Sequence, residues 1–279
     1  MTPLWRVPLS KCMNLIRIED PADPRVASFL DIRERDLVGR RDRFVAEGKV
    51  VLGALLKSAR FRAESVLVLE NRLAGLEETL RDAASDLPVH VVTSAVMDRI
   101  AGFHMHRGIL AIGCKGEMPD TAALLDTLPE SALVVVPIGI ANHDNMGAIF
   151  RNAAAFAADA VFLDGTCCDP LYRKAIRVSV GAALRLPFSV FDDAADFIAR
   201  LDARGFSQFA LSPAGALNIR DVRRDGNTAL YLGTEGEGLP AELMSRMQTL
   251  RIDMSAGFDS LNVAAASAIA LHRFADFKR

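Results

Sequence analysis

The feature that most constrains this chain is a series of short, near-continuous apolar runs in its second half. Leu133-Val134-Val135-Val136, Ala160-Val161-Phe162-Leu163, Phe206 to Leu211, Ala229-Leu230-Tyr231-Leu232 and Leu250 to Met254 recur, with helical segments between most of them. A strand that is apolar at every position has no face to turn to water. Such runs belong in a parallel sheet covered by helices on both sides. Earlier in the chain, Ser65-Val66-Leu67-Val68-Leu69, Val89-His90-Val91-Val92 and Gly108-Ile109-Leu110-Ala111-Ile112 read as strands, alternating with helical stretches at Leu73 to Ala84 and Ser94 to Ile100. Val50, Val51, Leu52, Leu55 and Leu56 suit the apolar side of one more helix, entered from Arg43-Phe44-Val45-Ala46-Glu47-Gly48. Residues 1–115 are therefore expected to form a small α/β domain and 132–279 a larger one. Residues 116–131, with Gly116, Pro119 and Pro129 around one short helical stretch, read as the linker.

Composition narrows the function classes. With 279 residues, 51% of them hydrophobic, the chain can build two cores. No apolar run approaches the ~20 residues that span a bilayer. Met1 to Arg17 lacks a charged start followed by a continuous apolar stretch, so no signal peptide is expected. Cys12, Cys114, Cys167 and Cys168 have no metal-ligand spacing, and neighbours such as Cys167 and Cys168 pair poorly. They are expected as reduced thiols in a cytoplasmic protein, with no metal. The net charge of −2 argues against a protein that grips nucleic acid indiscriminately, but leaves room for local basic patches. Three are visible: Arg33, Arg35, Arg40, Arg41 and Arg43; Arg173, Lys174 and Arg177; and Arg220, Arg223 and Arg224.

Three blocks carry chemistry, each where a strand meets a turn or a helix start, the place where open α/β sheets bind ligands. In Asn145-Met146-Gly147-Ala148-Ile149-Phe150-Arg151-Asn152-Ala153, Asp144 or Asn145 could cap a helix whose buried stripe includes Met146, Ile149, Phe150 and Ala153. Gly147, one turn before Arg151, would leave open space beside a guanidinium whose five donors suit a sugar or phosphate. An arginine on a wet helix face fits the same residues. In Leu232-Gly233-Thr234-Glu235-Gly236-Glu237-Gly238-Leu239 the glycines permit sharp turns and close ligand approach. The spacing is not the dinucleotide G-x-G-x-x-G, and two glutamates would repel pyrophosphate. An uncharged or cationic ligand suits it, and so does a plain turn. Ile252-Asp253-Met254 closes a strand, and Ser260-Leu261-Asn262-Val263 opens the last helix (Leu261 to about Phe277), with Ser260 placed as its N-cap. That helix is alanine-rich. No histidine and acid stand at triad spacing, and Ser260 lacks a following glycine, so serine-nucleophile chemistry is not expected.

In order and spacing these blocks, over roughly 133 to 275, resemble the signature motifs of the SpoU (TrmH-like) RNA ribose methyltransferases. The resemblance implies a sheet closed by a deep trefoil knot, a rare exception to unthreaded connectivity. It implies S-adenosylmethionine held at Gly233, Ile252 and Leu261, with Met254 nearby. Arg151 matches the catalytic arginine, supported by Asn145, with Glu235, Ser260 and Asn262 as further catalytic positions. It also implies a homodimer joined through the C-terminal domain. The first domain is similar to the family's substrate-binding domain, of the ribosomal L30e fold, on Arg43-Phe44-Val45-Ala46-Glu47-Gly48 and His106-Arg107-Gly108-Ile109. The expected activity is methylation of a ribose 2′-hydroxyl in structured RNA, ribosomal RNA before transfer RNA. Two other classes fit the sequence less well. A non-catalytic RNA-binding protein of this fold is disfavoured by the intact motif residues, and a Rossmann-type nucleotide enzyme by the missing fingerprint.

Overall fold

The computed structural model describes residues 14–30, 42–81, 83–102, 104–234 and 236–276, which divide into two compact units. One lies within Met1–Glu117 and takes in Leu171–Arg185; the other lies within Met118–Pro170 and Leu186–Arg279. Residues 171–185, expected inside the second domain, thus pack with the first unit.

In the first unit, β1 (Asn14–Arg17), β2 (Arg43–Glu47), β3 (Phe61–Leu69), β4 (Pro88–Val92) and β5 (Ile109–Lys115) form a sheet in the order β1-β4-β3-β5-β2. β4 lies parallel to β1 and β3, whereas β5 runs antiparallel to β3 and β2. Helices α1 (Lys49–Leu56), α2 (Glu77–Arg81) and α3 (Ser94–Ala101) accompany them. Val45, Leu67, Val92, Ile100 and Leu110 share one buried core. Thr93 caps α3 by accepting from Val96 N–H, and Gly102, left-handed at φ 76°, ends it. The helix expected over Leu73 to Ala84 is divided, with a 3-10 turn at Glu70–Leu76 preceding α2. Gly75 sits inside it, and glycine costs an α-helix about 1 kcal/mol relative to alanine. β2, read in the sequence only as a lead-in to α1, is a full edge strand. Its Phe44 ring occupies the space a Cβ on Gly113 would fill, 2.3 Å away.

The second unit opens with α4 (Thr121–Asp126), β6 (Leu133–Pro137), α5 (His143–Ala155) and β7 (Ala160–Asp164). The chain then gives α6 (Arg173–Val178) to the first unit. It returns with β8 (Phe188–Phe191), α7 (Ala194–Ala203), β9 (Ser207–Leu211), β10 (Leu217–Asn218), β11 (Thr228–Leu232), α8 (Ala241–Met244), β12 (Gln248–Arg251) and α9 (Val263–Phe274). The sheet order is β10-β12-β9-β11-β6-β7-β8, and every pair is parallel. β6 and β11, at its centre, are buried at all five positions, as strands covered on both faces must be. From β6 the chain builds outward through β7 and β8, then crosses to the other side to lay down β9, β11 and β12. That reversal is where parallel sheets open a crevice beyond their carboxyl ends. β12 ends at Arg251, so Ile252-Asp253-Met254 has left the strand that was expected to contain it. No helix of the described residues is long and apolar enough to cross a membrane.

One polar chain runs through this core. The Tyr231 hydroxyl, fully buried, donates to Gln208 Oε1 at 2.5 Å, and Gln208 Nε2 donates to Asp202 at 2.6 Å and to the Ile198 carbonyl at 3.2 Å. Burial pushes the Tyr231 phenol well above its ordinary range, so it stays a donor at any working pH. Tyr231→Phe leaves Gln208 Oε1 without that donor and should lower unfolding free energy by about 1–3 kcal/mol. Urea denaturation would check this; an unchanged midpoint would show that Oε1 finds another donor.

Candidate functional site

A cavity of about 320 Å³ lies at the carboxyl ends of β9, β11 and β12. Leu211, Ser212 and Pro213 follow β9, Gly233 and Thr234 follow β11, and Ile252 and Met254 follow β12. Ser260, Leu261 and Val263 close it from the start of α9. Four of the positions assigned from the sequence to cofactor binding, Gly233, Ile252, Met254 and Leu261, therefore border one space. Its rim carries Glu237 and Asp259, and among the described lining residues there is no lysine, arginine or histidine. The field in the cavity favours a cation and repels phosphate.

The glycine loop owes its shape to backbone contact. Thr234 N–H donates to the Gly238 carbonyl at 3.3 Å, and Gly238 takes a φ of 72°. A Cβ on Gly233 would lie 2.4 Å from both Gly238 C and Leu239 N, atoms that cannot move without opening the loop. Glu235, the acid expected to act in this loop, lies outside the described residues.

The amide pair behind α9 joins the first and third blocks. Asn262 Nδ2 donates to Asn145 Oδ1 at 3.0 Å, and Asn145 is buried. Asn262 also caps α9, its Oδ1 accepting from Ala264 and Ala265 N–H at 2.9 and 3.3 Å. Ser260 is not the cap: it lies two residues before Asn262 and faces the cavity instead. The α5 cap likewise falls earlier than expected. Asn142, rather than Asp144 or Asn145, accepts from the N–H groups of those two residues at 2.8 and 3.3 Å. A second clamp went unread in the sequence. Asn152 Nδ2 donates to the Ala264 carbonyl at 2.8 Å and to Ser267 Oγ at 3.0 Å, fixing α5 against α9. A polar residue at half-helical spacing among alanines was its only signal.

Arg151 precedes that clamp by one residue. It is exposed and does not border the 320 Å³ cavity, whereas Gly147, expected to leave open space beside it, is buried. Cys12 lies outside the described residues, and among those described no thiol is activated as a nucleophile. Burial pushes Cys168 up to about 11 and raises Cys167 further, and Cys114 is also raised, chiefly by burial. Among the described residues no group of His, Cys, Asp or Glu is placed to hold a metal ion.

Known proteins resemble this chain in sequence and in fold. The SpoU rRNA Methylase family matches residues 132–272. An uncharacterized tRNA/rRNA methyltransferase of Mycobacterium tuberculosis is 37% identical over 263 residues, covering 91% of this chain and 89% of that protein. The 23S rRNA (guanosine-2′-O-)-methyltransferase RlmB of Xanthomonas campestris is 28% identical over 204 residues, covering 72% of this chain and 81% of its own. In fold, the chain is similar to an AdoMet-bound rRNA methyltransferase from Sinorhizobium meliloti, with a TM-score of 0.77 at 23% identity over 93% of this chain and 97% of that one.

The caps give a direct test. Asn262→Ala removes the α9 cap and the donor to Asn145, and should cost about 1–2 kcal/mol. Ser260→Ala should stay within about 0.5 kcal/mol, as surface changes do. Thermal denaturation of the two variants would show the order, and a larger loss for Ser260→Ala would return the cap to that residue.

Proposed function

This chain belongs to the SpoU rRNA methylase family, and from that premise we propose that it transfers a methyl group from S-adenosylmethionine to a ribose 2′-hydroxyl of structured RNA, ribosomal RNA before transfer RNA. The observation that supports this reading most is the cavity shared by three chain segments. It is apolar on Leu211, Leu239, Leu250, Ile252 and Leu261, and acidic at its rim through Glu237 and Asp259. An adenine needs the first property and a sulfonium the second. When bound there, the cofactor supplies an electrophilic methyl group.

The rest of the chemistry falls to the chain. A 2′-hydroxyl must be aligned with the methyl carbon and lose its proton as it attacks. We assign the alignment to Arg151. A literal arginine base is costly, because the guanidinium pKa exceeds about 12. Its donors instead hold the ribose oxygen and the neighbouring phosphate, with the proton leaving to phosphate or water. Orientation of this kind contributes on the order of 7–11 kcal/mol. Asn145 and Asn262 are positioning residues: their mutual bond fixes α5, which bears Arg151, against the helix start that borders the methyl donor. Gly233, Ile252, Met254 and Leu261 hold the cofactor, and Ser260 and Glu235 stand beside it in the sequence motifs. The reading includes the family's knotted C-terminal part, an L30e-like first domain that binds substrate, and a cytoplasmic location. It also includes a homodimer through α9, on which Ile269 leaves apolar surface exposed at 42%.

Incubation with tritiated S-adenosylmethionine and total RNA from a strain lacking the protein should label one class of ribosomal RNA at a 2′-oxygen. Labelling of transfer RNA alone would redirect the substrate; no labelling, with RNA bound, would leave a binding protein. Arg151→Ala should lower methyl transfer by a factor of about 10³ or more, consistent with loss of orientation. Its affinity for S-adenosylmethionine, measured by calorimetry, should stay within about twofold. Near-normal turnover in that variant would remove Arg151 from the mechanism.

A further inference from the structure

The first unit holds a second cavity, of about 600 Å³, that the reaction does not use. Its volume lies within the roughly 300–1,000 Å³ of small-ligand sites. Four cations, Lys49, Arg72, Arg107 and Arg177, stand against one acid, Glu47, among the described lining residues. For a chain whose net charge is −2, a local balance of three positive charges (four minus one) is a marked segregation.

Glu47 organises it. This side chain is only 8% exposed, and a buried carboxylate must be paired. Arg173 lies 3.2 Å from Glu47 Oε2, Arg177 3.9 Å from the same oxygen and Arg107 3.9 Å from Oε1. One acid thus gathers three guanidiniums, and at 3.9 Å from Arg107 and Arg177 it cannot saturate their roughly ten N–H donors, about five on each. Arg107 and Arg177 remain 52% and 37% exposed, with donors directed to whatever enters. The residue beside the acid makes room: a Cβ on Gly48, at φ 95°, would come within 3.3 Å of Arg107 Cδ. Fork-shaped guanidinium donors are suited to phosphate oxygens.

The floor is apolar. Val50, 63% exposed on the first turn of α1, is joined by Val51, Leu76, Ile109 and Val180. Contact with a helical phosphate backbone alone needs no concave apolar floor. A cationic rim over an apolar base fits a nucleotide turned out of its stack, its base against the valines and its phosphates on the arginines.

We propose that this cavity binds an unpaired nucleotide of the RNA substrate, a site within the first unit additional to the methyl-transfer cavity. The inference rests on RNA being the substrate. It distinguishes looped from fully paired RNA, which simple charge attraction does not.

The test uses the full chain, a hairpin with an unpaired loop taken from the RNA that the protein methylates, and a blunt duplex of equal length. Binding is read by fluorescence anisotropy at several salt concentrations. Arg72→Gln combined with Arg107→Gln should weaken hairpin binding at least tenfold and duplex binding less than twofold. The salt slope for the hairpin should fall by roughly 1.4, for two phosphates on a single strand. Val50→Ser, a surface change that leaves every charge in place, should weaken hairpin binding roughly three- to tenfold through lost apolar contact. Unchanged hairpin affinity in both variants overturns the proposal, as does equal loss for hairpin and duplex. A change of oligomeric state with RNA affinity intact assigns the cavity to self-association and also overturns it. Failure of the wild-type chain to bind any RNA would sink the methyltransferase reading itself, an outcome distinct from wild-type binding that the variants leave untouched.

Discussion

Asn145 and Asn262 are 117 residues apart in the chain and 3.0 Å apart in space. Their hydrogen bond, with the Asn152 clamp about two turns farther along α5, fixes α5 against the start of α9. Everything attributed to the reaction depends on that fix. α9 begins where the cofactor cavity ends, and α5 bears the guanidinium assigned to the sugar. Because Asn145 is buried, its amide would be costly to leave unpaired. The pairing therefore selects one register between the helices, and a residue with no contact to either reactant can govern how well they meet.

The two cavities are opposites in charge. In the second unit the rim is acidic and no described lining residue is cationic, so the cavity itself offers no charged partner to a phosphate. In the first unit arginines dominate, held in place by a single buried glutamate. A near-neutral chain can in this way treat a cationic cofactor and an anionic substrate separately. Total charge, which argues against indiscriminate nucleic-acid binding, says nothing about such a partition.

Much of the second unit is legible from its residues. The apolar runs at Leu133, Ala160 and Ala229 are strands because nothing in them could face water, and their burial follows. β8 escaped because Ser189 interrupts Phe188-Ser189-Val190-Phe191 and Pro187 precedes it, so that the run looks like a loop. The caps slipped for a different reason. Asn142, Asp144 and Asn145 can all cap a helix, as can Ser260 and Asn262, and only the backbone path decides which one stands at the turn. The grouping of Gly233, Ile252, Met254 and Leu261 was visible through the resemblance, not through any one segment, since each block alone also suits a turn or a cap. The glutamate with three arginines had no sequence signal: Glu47 and Arg173 lie 126 positions apart, and their meeting depends on α6 packing on β2.

That packing bears on how the protein comes to exist. The sheet of the first unit is made from residues up to Lys115, but Glu47 meets Arg173 and Arg177 only once Leu171–Arg185 has joined it. During synthesis, then, the amino-terminal part must wait with the Glu47 carboxylate answered by Arg107 but not yet by Arg173 and Arg177, while more than fifty further residues leave the ribosome, roughly several seconds at about 5–20 residues per second. Its final closure is a late event in the life of the nascent chain, and by then the opening strands of the other half have already been made.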